Sequence, residues 1–334
     1  GLHFDQLYKS AALLNITKKQ LLLKNDVVSM DFILGDNSRY NFDYYIDKGF
    51  YWSVGINSSY KRFNHSIDPA SLISDVNYPS IDKIQISFKD FSHQFFVETL
   101  IKKDLAVKIG TELKNLKITT NDNAFLSVFD TPEYEFENGN FLSLFGSLKI
   151  DTIDNKFFPT AGFLVDGGFK FYFASPNFEG EFNEFSIFKA QISKAFKITD
   201  KLSMHINTEG GFRVGNSDTK ALHFGLGGYG FNYFNNYSTF YGYDYLELNG
   251  NSFVKLSSTI DYEFSTNHHF NFSANFANIG DDIFLTQKWF DSPTYSGYAI
   301  GYALETAFGP IELKYNWSGE TNQSGYFVNV GYWF

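Results

Sequence analysis

Apolar and polar residues alternate along most of this chain with a period of two. Val254 and Leu256, within residues 253–264, share one face, whereas Lys255 and Asp261 share the opposite face. Because successive side chains of a β-strand point to opposite sides, this pattern predicts strands with one apolar face. The same alternation is clear in 28–35, 40–47, 105–113, 163–171, 202–209, 298–305 and 311–318.

The final residues of the chain continue this pattern. Val328, Val330, Tyr332 and Phe334 stand at every second position, and the chain stops on the phenylalanine. A closing amphipathic strand that ends on an aromatic residue is typical of bacterial outer-membrane β-barrels. We therefore predict that these four residues form the terminal strand signal of such a barrel, and the resemblance to these barrels implies that the outer-membrane assembly machinery recognises it.

The pattern predicts an all-β fold, a single 16-stranded antiparallel transmembrane β-barrel that occupies residues 1–334. A membrane-spanning sheet has to close, because lipid offers no partner to an open strand edge. An even number of strands puts both termini on the periplasmic side. The predicted strands are 2–6, 9–17, 27–36, 39–47, 50–63, 91–101, 105–117, 141–152, 160–173, 185–198, 201–213, 251–264, 268–279, 296–306, 310–318 and 324–334.

The connections between these strands distinguish a membrane barrel from a half-buried soluble sheet, which also alternates. Short connections, such as 102–104 and 199–201, alternate with long ones, such as 64–90 and 117–140. Short periplasmic turns and long external loops are the outer-membrane pattern. The chain holds no apolar run long enough for a transmembrane helix, and aromatic residues make up 20% of it. These features favour the membrane barrel.

Charge and cysteine content narrow the function classes. A net charge of −10 argues against nucleic acid as a partner, because such proteins need a basic face. The absence of cysteine excludes disulfides and thiolate metal sites. Residues 1–8 lack the basic and apolar regions of a signal peptide. Either a signal peptide has been removed or the sequence is a piece of a longer chain. We expect the second, with the barrel as the C-terminal part of a longer protein.

Catalytic motifs are absent from the sequence, which has no Gly-x-Ser-x-Gly, no P-loop and no His-Glu-x-x-His. Asp166-Gly167-Gly168 lies within a predicted strand without a serine elbow, and we interpret it as structural. His268 and His269 are placed in a predicted periplasmic turn, and two ligands do not make a metal site. The acidic run 130–137 is interpreted as a solvated external loop rather than a Ca²⁺ site. No catalytic residue, metal or cofactor is predicted.

Charged residues on the polar strand faces have two interpretations. They line a pore or an active site, or they pair with each other because a lone desolvated charge is costly. The second interpretation is the commoner one in narrow barrels. The residues are Lys108, Glu112, His205, Glu209, Lys255, Asp261, Glu263, Glu312 and Lys314.

The segment 223–250, between strands eleven and twelve, is long and rich in glycine and tyrosine. Long loops of this kind are usually functional. Glycine allows the tight backbone conformations needed to fold back into a lumen, and tyrosine supplies packing area with a hydroxyl group. We expect the segment to plug the lumen; the alternative is an exposed external loop.

Three stretches resemble the BamA/TamA (bacterial surface antigen) superfamily of outer-membrane barrels. Residues 151–162 match its periplasmic turn, 240–263 match its loop motif and following strand, and 309–334 match its closing hairpin. The turn motif falls on Asp151, Asp154, Asn155, Pro159, Thr160 and Gly162, and the loop motif on Phe240, Tyr241, Gly242 and Tyr243. Within the superfamily, the chain is most similar to the C-terminal barrel of Bacteroidota patatin-like phospholipases.

Two positions depart from the superfamily pattern. The arginine of the loop motif falls at Tyr241, so its cationic anchor is missing. The aspartate of the partner motif Phe-x-Asp-x-Gly falls at Asn278, which alternation places on the apolar face. These departures weaken the case for an insertase or secretion activity of the usual kind.

The resemblance implies a place in the outer membrane of a Gram-negative bacterium, among its lipids and lipopolysaccharide. The preferred hypothesis is a membrane anchor for an upstream domain, which the resemblance suggests is a patatin-like lipase. The alternatives are an insertase or export pore that acts through the seam between the first and last strands, or a subunit of a larger outer-membrane complex. An enzyme within the barrel is the third hypothesis.

Overall fold

The fold is known from a computed structural model. It describes residues 1–4, 10–47, 52–69, 72, 83–101, 104–129, 132–178, 181–215, 219–229, 236–321 and 323–332.

Sixteen strands form one closed barrel in which every neighbouring pair is antiparallel, as the sequence predicts. The barrel strands are β1 (Leu2–Phe4), β2 (Ala11–Lys19), β3 (Asp26–Gly35), β4 (Arg39–Ile46), β5 (Ser53–Ile67), β6 (Ile84–Ile101), β7 (Leu105–Thr120), β8 (Tyr134–Asp151), β9 (Gly162–Ala174), β10 (Phe185–Lys197), β11 (Leu202–Val214), β15 (Ser252–Ser265), β16 (His268–Gly280), β17 (Tyr295–Leu304), β18 (Ile311–Trp317) and β19 (Ser324–Val330).

Three short strands lie between β11 and β15, in the segment predicted as the long loop. They are β12 (Phe224–Leu226), β13 (Tyr237–Ser238) and β14 (Leu248–Gly250), and they form a separate small sheet with β12 in the middle. Helix α1 (Asn123–Phe129) and two 3₁₀ turns, Lys220–Leu222 and Lys288–Phe290, complete the regular structure of the described residues. None of the described helices combines the length and the apolar character needed to cross a membrane.

Burial in the barrel is the reverse of that in a soluble protein. Ile192 and Leu313 are 59% and 55% exposed on the outer surface, whereas Ser273 and Asn329 are fully buried inside. Apolar side chains on the outside suit a lipid environment, and polar side chains line the interior. The faces predicted from alternation are therefore the outer and inner faces of the barrel wall.

Two strands begin earlier than predicted: β6 at Ile84 rather than at 91, and β8 at Tyr134 rather than at 141. The reason is visible at the start of β6, where Ile86 and Phe88 point inward and are buried. In this part of β6 the apolar side chains point inward, as in a soluble sheet. The pattern of outward apolar side chains in the membrane-spanning part of the strand therefore does not extend to these residues. The long connections are correspondingly shorter, 68–83 and 121–133.

An apolar core fills the lumen at the end of the barrel that carries the longer loops, called here the loop end. Inward side chains of the wall strands, such as Phe63, Phe88 and Tyr172, pack with Phe224 and Tyr237 of the small sheet. The opposite end, which carries the short turns, is called the turn end. The lumen therefore changes from apolar at the loop end to polar in its middle.

The first and last strands close the barrel. In the described residues, three residue pairs join β1 to β19, Leu2–Val330, His3–Asn329 and Phe4–Val328. Seven pairs join β18 to β19 on the other side. We call the β1–β19 contact the seam.

Candidate functional site: the filled lumen and the seam

The segment 223–250, between β11 and β15, folds into the lumen, as predicted from its glycine and tyrosine content. Its described residues are called the plug. Lys189 of the wall donates to the carbonyl oxygen of Tyr237 (2.8 Å), and Lys255 donates to that of Thr239 (3.1 Å). The Ser238 hydroxyl donates to the carboxylate of Glu209 (2.5 Å). These contacts join the backbone of the segment to inward side chains of β10, β11 and β15.

The loop motif lies deep in this segment and is fixed by amide side chains of the wall. The backbone nitrogen of Tyr241 donates to Oδ1 of Asn275 (2.8 Å), and that of Gly242 donates to Oδ1 of Asn316 (3.0 Å). Phe240, the first residue of the motif, is fully buried. The motif therefore contacts β16 and β18.

Gly242 is required by its position as well as by its backbone. Its φ is +78°, and an added Cβ would stand 2.4 Å from the backbone nitrogen of Ser318. Both conditions exclude a side chain. After it, the hydroxyl of Tyr243 donates to Glu320 (2.9 Å), which also accepts from the Ser296 hydroxyl (2.6 Å).

Glu320 belongs to the connection between β18 and β19. Desolvation alone would raise its pKa, but hydrogen bonds from Ser296, Ser318 and Tyr243 hold the pKa at about 2, well below its ordinary value. Desolvation, with a smaller contribution from the hydrogen bond to Glu320, raises the pKa of Tyr243 to about 12. The carboxylate is therefore an ionised anchor for the loop motif.

The missing arginine of the loop motif is replaced by a cation on the wall. Lys314 of β18 lies 4.5 Å from the ring centre of Tyr229 and 5.6 Å from that of Tyr241. Its Nζ is 3.2 Å from the Tyr229 hydroxyl, and the two rings stack with centres 5.1 Å apart. A buried cation between aromatic faces is a strong contact. The loop motif therefore has no cation of its own at 241, as the sequence indicates, and it contacts a cation of the wall instead.

Asn278 does not contact the loop motif. Its Oδ1 accepts from the nitrogen and the hydroxyl of Thr294 (2.8 and 2.9 Å), and its amide donates to the carbonyl oxygens of Lys288 and Asp291. Asn278 thus fixes the connection 281–294. Asn275, three residues earlier and facing inward, is the residue of β16 that binds the loop motif.

The inserted segment reaches the seam through one aromatic contact. The ring of Tyr229 packs edge-on against Phe327 of β19, with centres 4.6 Å apart. Phe327 in turn packs against His3 of β1, with centres 4.7 Å apart. A continuous row of rings therefore runs from the plug, through the last strand, to the first strand.

The predicted turn motif, residues 151–162, is organised by Asp154. This carboxylate accepts from the backbone nitrogens of Thr160 (2.9 Å) and Ala161 (3.0 Å) and from the Thr160 hydroxyl (2.6 Å). Desolvation raises the pKa of Asp154, yet these hydrogen bonds outweigh it and leave the pKa below its ordinary value. Asn155 accepts from the nitrogen of Phe157 (2.9 Å).

The ends of the same motif close it. Asp151 accepts from the nitrogen of Ile153 (3.2 Å) and pairs with Lys149 (3.2 Å). Gly162 has φ +100°, and a Cβ there would meet the carbonyl oxygen of Thr152. Pro159 lies between Asp154 and Gly162 in the same turn, and we assign it no separate role.

The turn motif extends across the mouth of the barrel at the turn end. The ring of Phe158 stacks on His269 of β16 (centres 4.1 Å apart), and the ring of Phe157 lies 6.0 Å from that of Tyr332, just after β19. The turn joins β8 to β9, four barrel strands away from β16. It therefore covers the turn end of the lumen as the plug covers the loop end.

The two histidines are not in a turn. His268 and His269 begin β16, where His268 bonds the hydroxyl of Tyr302 (2.7 Å) and His269 bonds Asp261 (2.7 Å). The connection before them is only 266–267, and β16 begins at residue 268, where the predicted strand 268–279 also begins. Within the described residues, no group of three or more potential ligands is placed to hold a metal. Asp130 and Thr131 of the acidic run lie outside the described residues.

Several of the inward charges pair with each other. Lys255 and Lys189 share Glu209 (2.7 and 2.9 Å), Lys170 binds Glu112 (2.7 Å), and Lys108 binds Glu98 (3.0 Å). Pairing therefore explains most charges on the inner face. Asp166 lies within β9, as predicted, with Gly167 and Gly168.

The terminal strand signal is partly described. Val330 and Tyr332 lie on the outer surface, 38% and 56% exposed, with Val328 half-buried on the same face. Phe334 lies outside the described residues. The role of these residues in assembly stays a prediction.

Sequence reasoning missed the residues that close the lumen. Tyr229, Phe157 and Phe158 act through contacts with residues far away in sequence, which alternation does not reveal. The aromatic pair within a polar turn was the available signal, because exposed turns seldom carry two phenylalanines.

These features define a class of protein: an outer-membrane β-barrel with an inserted loop and a short seam between its first and last strands. The model of the OMP85 superfamily matches residues 1–334, so the chain belongs to this superfamily. Its barrel is accordingly one of the Gram-negative outer membrane. No curated protein matches the chain.

Three solved structures share the fold. BamA from Haemophilus ducreyi, solved without POTRA domains 1–3, has a TM-score of 0.70 at 12% identity; the match covers 98% of this chain and 68% of that one. CdiB from Acinetobacter baumannii gives 0.61 at 12% identity, covering 99% of this chain and 59% of that one. CdiB from Escherichia coli gives 0.64 at 11% identity, covering 99% and 62%. The chain thus spans less than two thirds of either CdiB chain.

Proposed function

We propose that this barrel is a pore that inserts or exports polypeptides at the outer membrane by opening between β1 and β19. In this proposal the turn end and both chain termini face the periplasm, and the loop end faces outward. The observation that carries the proposal is the seam, where only three residue pairs of the described chain hold β1 to β19.

The energetics support an opening at this place. A typical hydrogen bond contributes about 1 kcal/mol net, so a short ladder costs little to separate if an incoming strand replaces its bonds. Exposed strand edges are templates for pairing with another chain. The outer-membrane assembly machinery and lipopolysaccharide are the partners that the family resemblance implies.

The closure of the lumen is also compatible with such a pore. The plug covers the loop end and the turn motif, between β8 and β9, covers the turn end, and neither is part of the barrel wall. The plug is held by side-chain hydrogen bonds and ring contacts rather than by strand pairing with the wall. Interactions of this kind exchange more readily than a barrel ladder. The departure at Tyr241 does not count against the pore, since Lys314 supplies the cation.

A disulfide across the seam tests the proposal. The chain has no cysteine, so Leu2→Cys with Val330→Cys introduces the only pair. In cells whose full-length protein carries this pair, oxidation should lower the amount of folded outer-membrane or exported proteins, and a reductant should restore it. The matched control is Leu256→Cys with Phe276→Cys, which crosslinks β15 to β16 away from the seam. If the amount of folded outer-membrane or exported proteins is the same with the seam disulfide as with the control disulfide, the proposal is refuted.

The membrane-anchor role is the second candidate, favoured by the filling of the lumen at the loop end. In this alternative the barrel is the C-terminal domain of a longer protein and holds an upstream domain at the membrane. The link to patatin-like phospholipases finds no support in the comparisons and stays a prediction. An anchor would work normally with the seam locked, so the same disulfide separates the two candidates.

A further inference from the structure

Two cations on the inner wall lack an acidic partner. Arg39 of β4 and Lys61 of β5 stand directly opposite each other in the strand register. The Nε of Arg39 is buried without a hydrogen-bond partner. Among the residues that the structure describes, no carboxylate oxygen lies within 4.0 Å of either side chain.

The neighbouring charges are already committed to each other. Asp90 stands opposite Lys61, but both of its carboxylate oxygens accept from Lys114, each at 2.8 Å. Glu112 likewise accepts twice from Lys170, at 2.7 and 2.8 Å. The two pairs cancel, which leaves Arg39 and Lys61 without an ion-pair partner among the described residues. Asp43, which lines the smaller cavity, accepts instead from the amides of Asn41 (2.5 Å) and Asn57 (2.7 Å).

Space for a ligand adjoins the two cations. They line a polar cavity of about 590 Å³ inside the barrel and a second one of about 210 Å³, with Gln94 and Lys108 also lining both. The smaller cavity adds Ser59, Ser92 and the carboxylate of Asp43, and the larger cavity is also lined by Asp166 and Glu209. The volumes are large enough for a small anion together with an organic group that carries it.

We propose that Arg39 and Lys61 form an oxyanion site that binds phosphate or a phosphate monoester in the lumen. Two positive charges without an ion-pair partner match a dianion, and a phosphate group carries about −1.5 to −2 at pH 7. Arginine supplies a planar fork of donors and lysine a compact point charge, a combination suited to phosphate oxygens. Buried unpaired charges are costly, so the ligand would supply the missing counter-charge. The site does not depend on the opening of the seam.

Isothermal titration of the purified full-length protein with inorganic phosphate, at constant ionic strength, tests the site. We expect saturable binding that Arg39→Gln or Lys61→Gln weakens about tenfold or more, because each removes charge-assisted hydrogen bonds. Arg39→Lys keeps the charge and should retain most of the affinity. Lys149→Gln is the matched control, since it removes a lysine that is paired with Asp151 and lines neither cavity.

A thermal measurement gives an independent readout. Without phosphate, Arg39→Gln should raise the midpoint of heat denaturation, because it removes a desolvated cation without a counter-charge. Phosphate should raise the midpoint of the unmodified protein and leave that of the variant unchanged. Absence of saturable binding, or an equal loss with Lys149→Gln, would overturn the proposal.

The source of the phosphate is distinguished by a second titrant. Glucosamine 1-phosphate represents a phosphorylated lipid headgroup. Tighter binding of this monoester than of inorganic phosphate would identify a headgroup as the ligand, and the reverse order would identify the free ion. Either order supports the site.

Discussion

The carbonyl oxygen of Tyr241 lies 1.9 Å from the point where a Cβ on Gly297 would stand. The plug and β17 are therefore in direct backbone contact, and only a glycine at 297 permits it.

Gly297→Ala should push the loop motif away from the wall. The added methyl group cannot be accommodated without moving Tyr241, so we expect a loss of about 1–3 kcal/mol, typical of overpacking. Single-channel conductance in planar bilayers should rise as the plug loosens. Gly319→Ala is the control, because a Cβ at 319 meets nothing within 4 Å. Unchanged conductance in Gly297→Ala would contradict the contact.

Lys314→Met should weaken the plug from the side of β18. It removes the cation between Tyr229 and Tyr241 while keeping most of the side-chain volume. The expected loss is about 2 kcal/mol, the size of a desolvated cation–π contact. The temperature at which half of the protein migrates as the unfolded band in gels should fall. Lys197→Met is the control, because Lys197 belongs to an exposed ion pair, and it should leave this temperature unchanged. A temperature equal to that of the unmodified protein would show that the rings do not need the cation.

Acid should release the loop motif through Glu320. Its pKa is about 2 in the docked state, below the ordinary value of 4.5, so the ionised form favours docking. This stabilisation is fully present above pH 4.5 and is lost as pH falls through about 2. Conductance should therefore increase between pH 4.5 and 2. Glu320→Gln should show a smaller pH dependence over this range; an identical profile in the variant would assign the acid response to other groups.

Asp154→Asn should loosen the cover at the turn end. The variant loses the charge that accepts hydrogen bonds from the Thr160 nitrogen and hydroxyl, so Phe157 and Phe158 should leave their partners more often. Protease cleavage within 152–161 should speed up roughly fivefold, equivalent to about 1 kcal/mol. Asp151→Asn, which loses one nitrogen contact and an exposed ion pair, is the milder comparison. Equal cleavage rates in the two variants would count against Asp154 as the organiser of the turn.

The number and order of the wall strands could be predicted from sequence because alternation is a local signal. It failed where strands leave the membrane zone, as at Ile84–Phe88, since the apolar side there turns inward. The closed lumen could not be predicted in the same way. The contacts of Lys314 with Tyr229 and of Phe158 with His269 join residues whose proximity depends on barrel closure.

The two edges of the seam differ in how firmly they are fixed. β19 contacts the plug through Phe327, the turn-end cover lies close to Tyr332, and seven residue pairs join β19 to β18. In the described residues, β1 has three pairs to β19 and two to β2, with two further backbone bonds between Gly1 and Leu13. We therefore expect that, if the seam opens as proposed, β1 moves while β19 keeps its contacts with the plug and with β18.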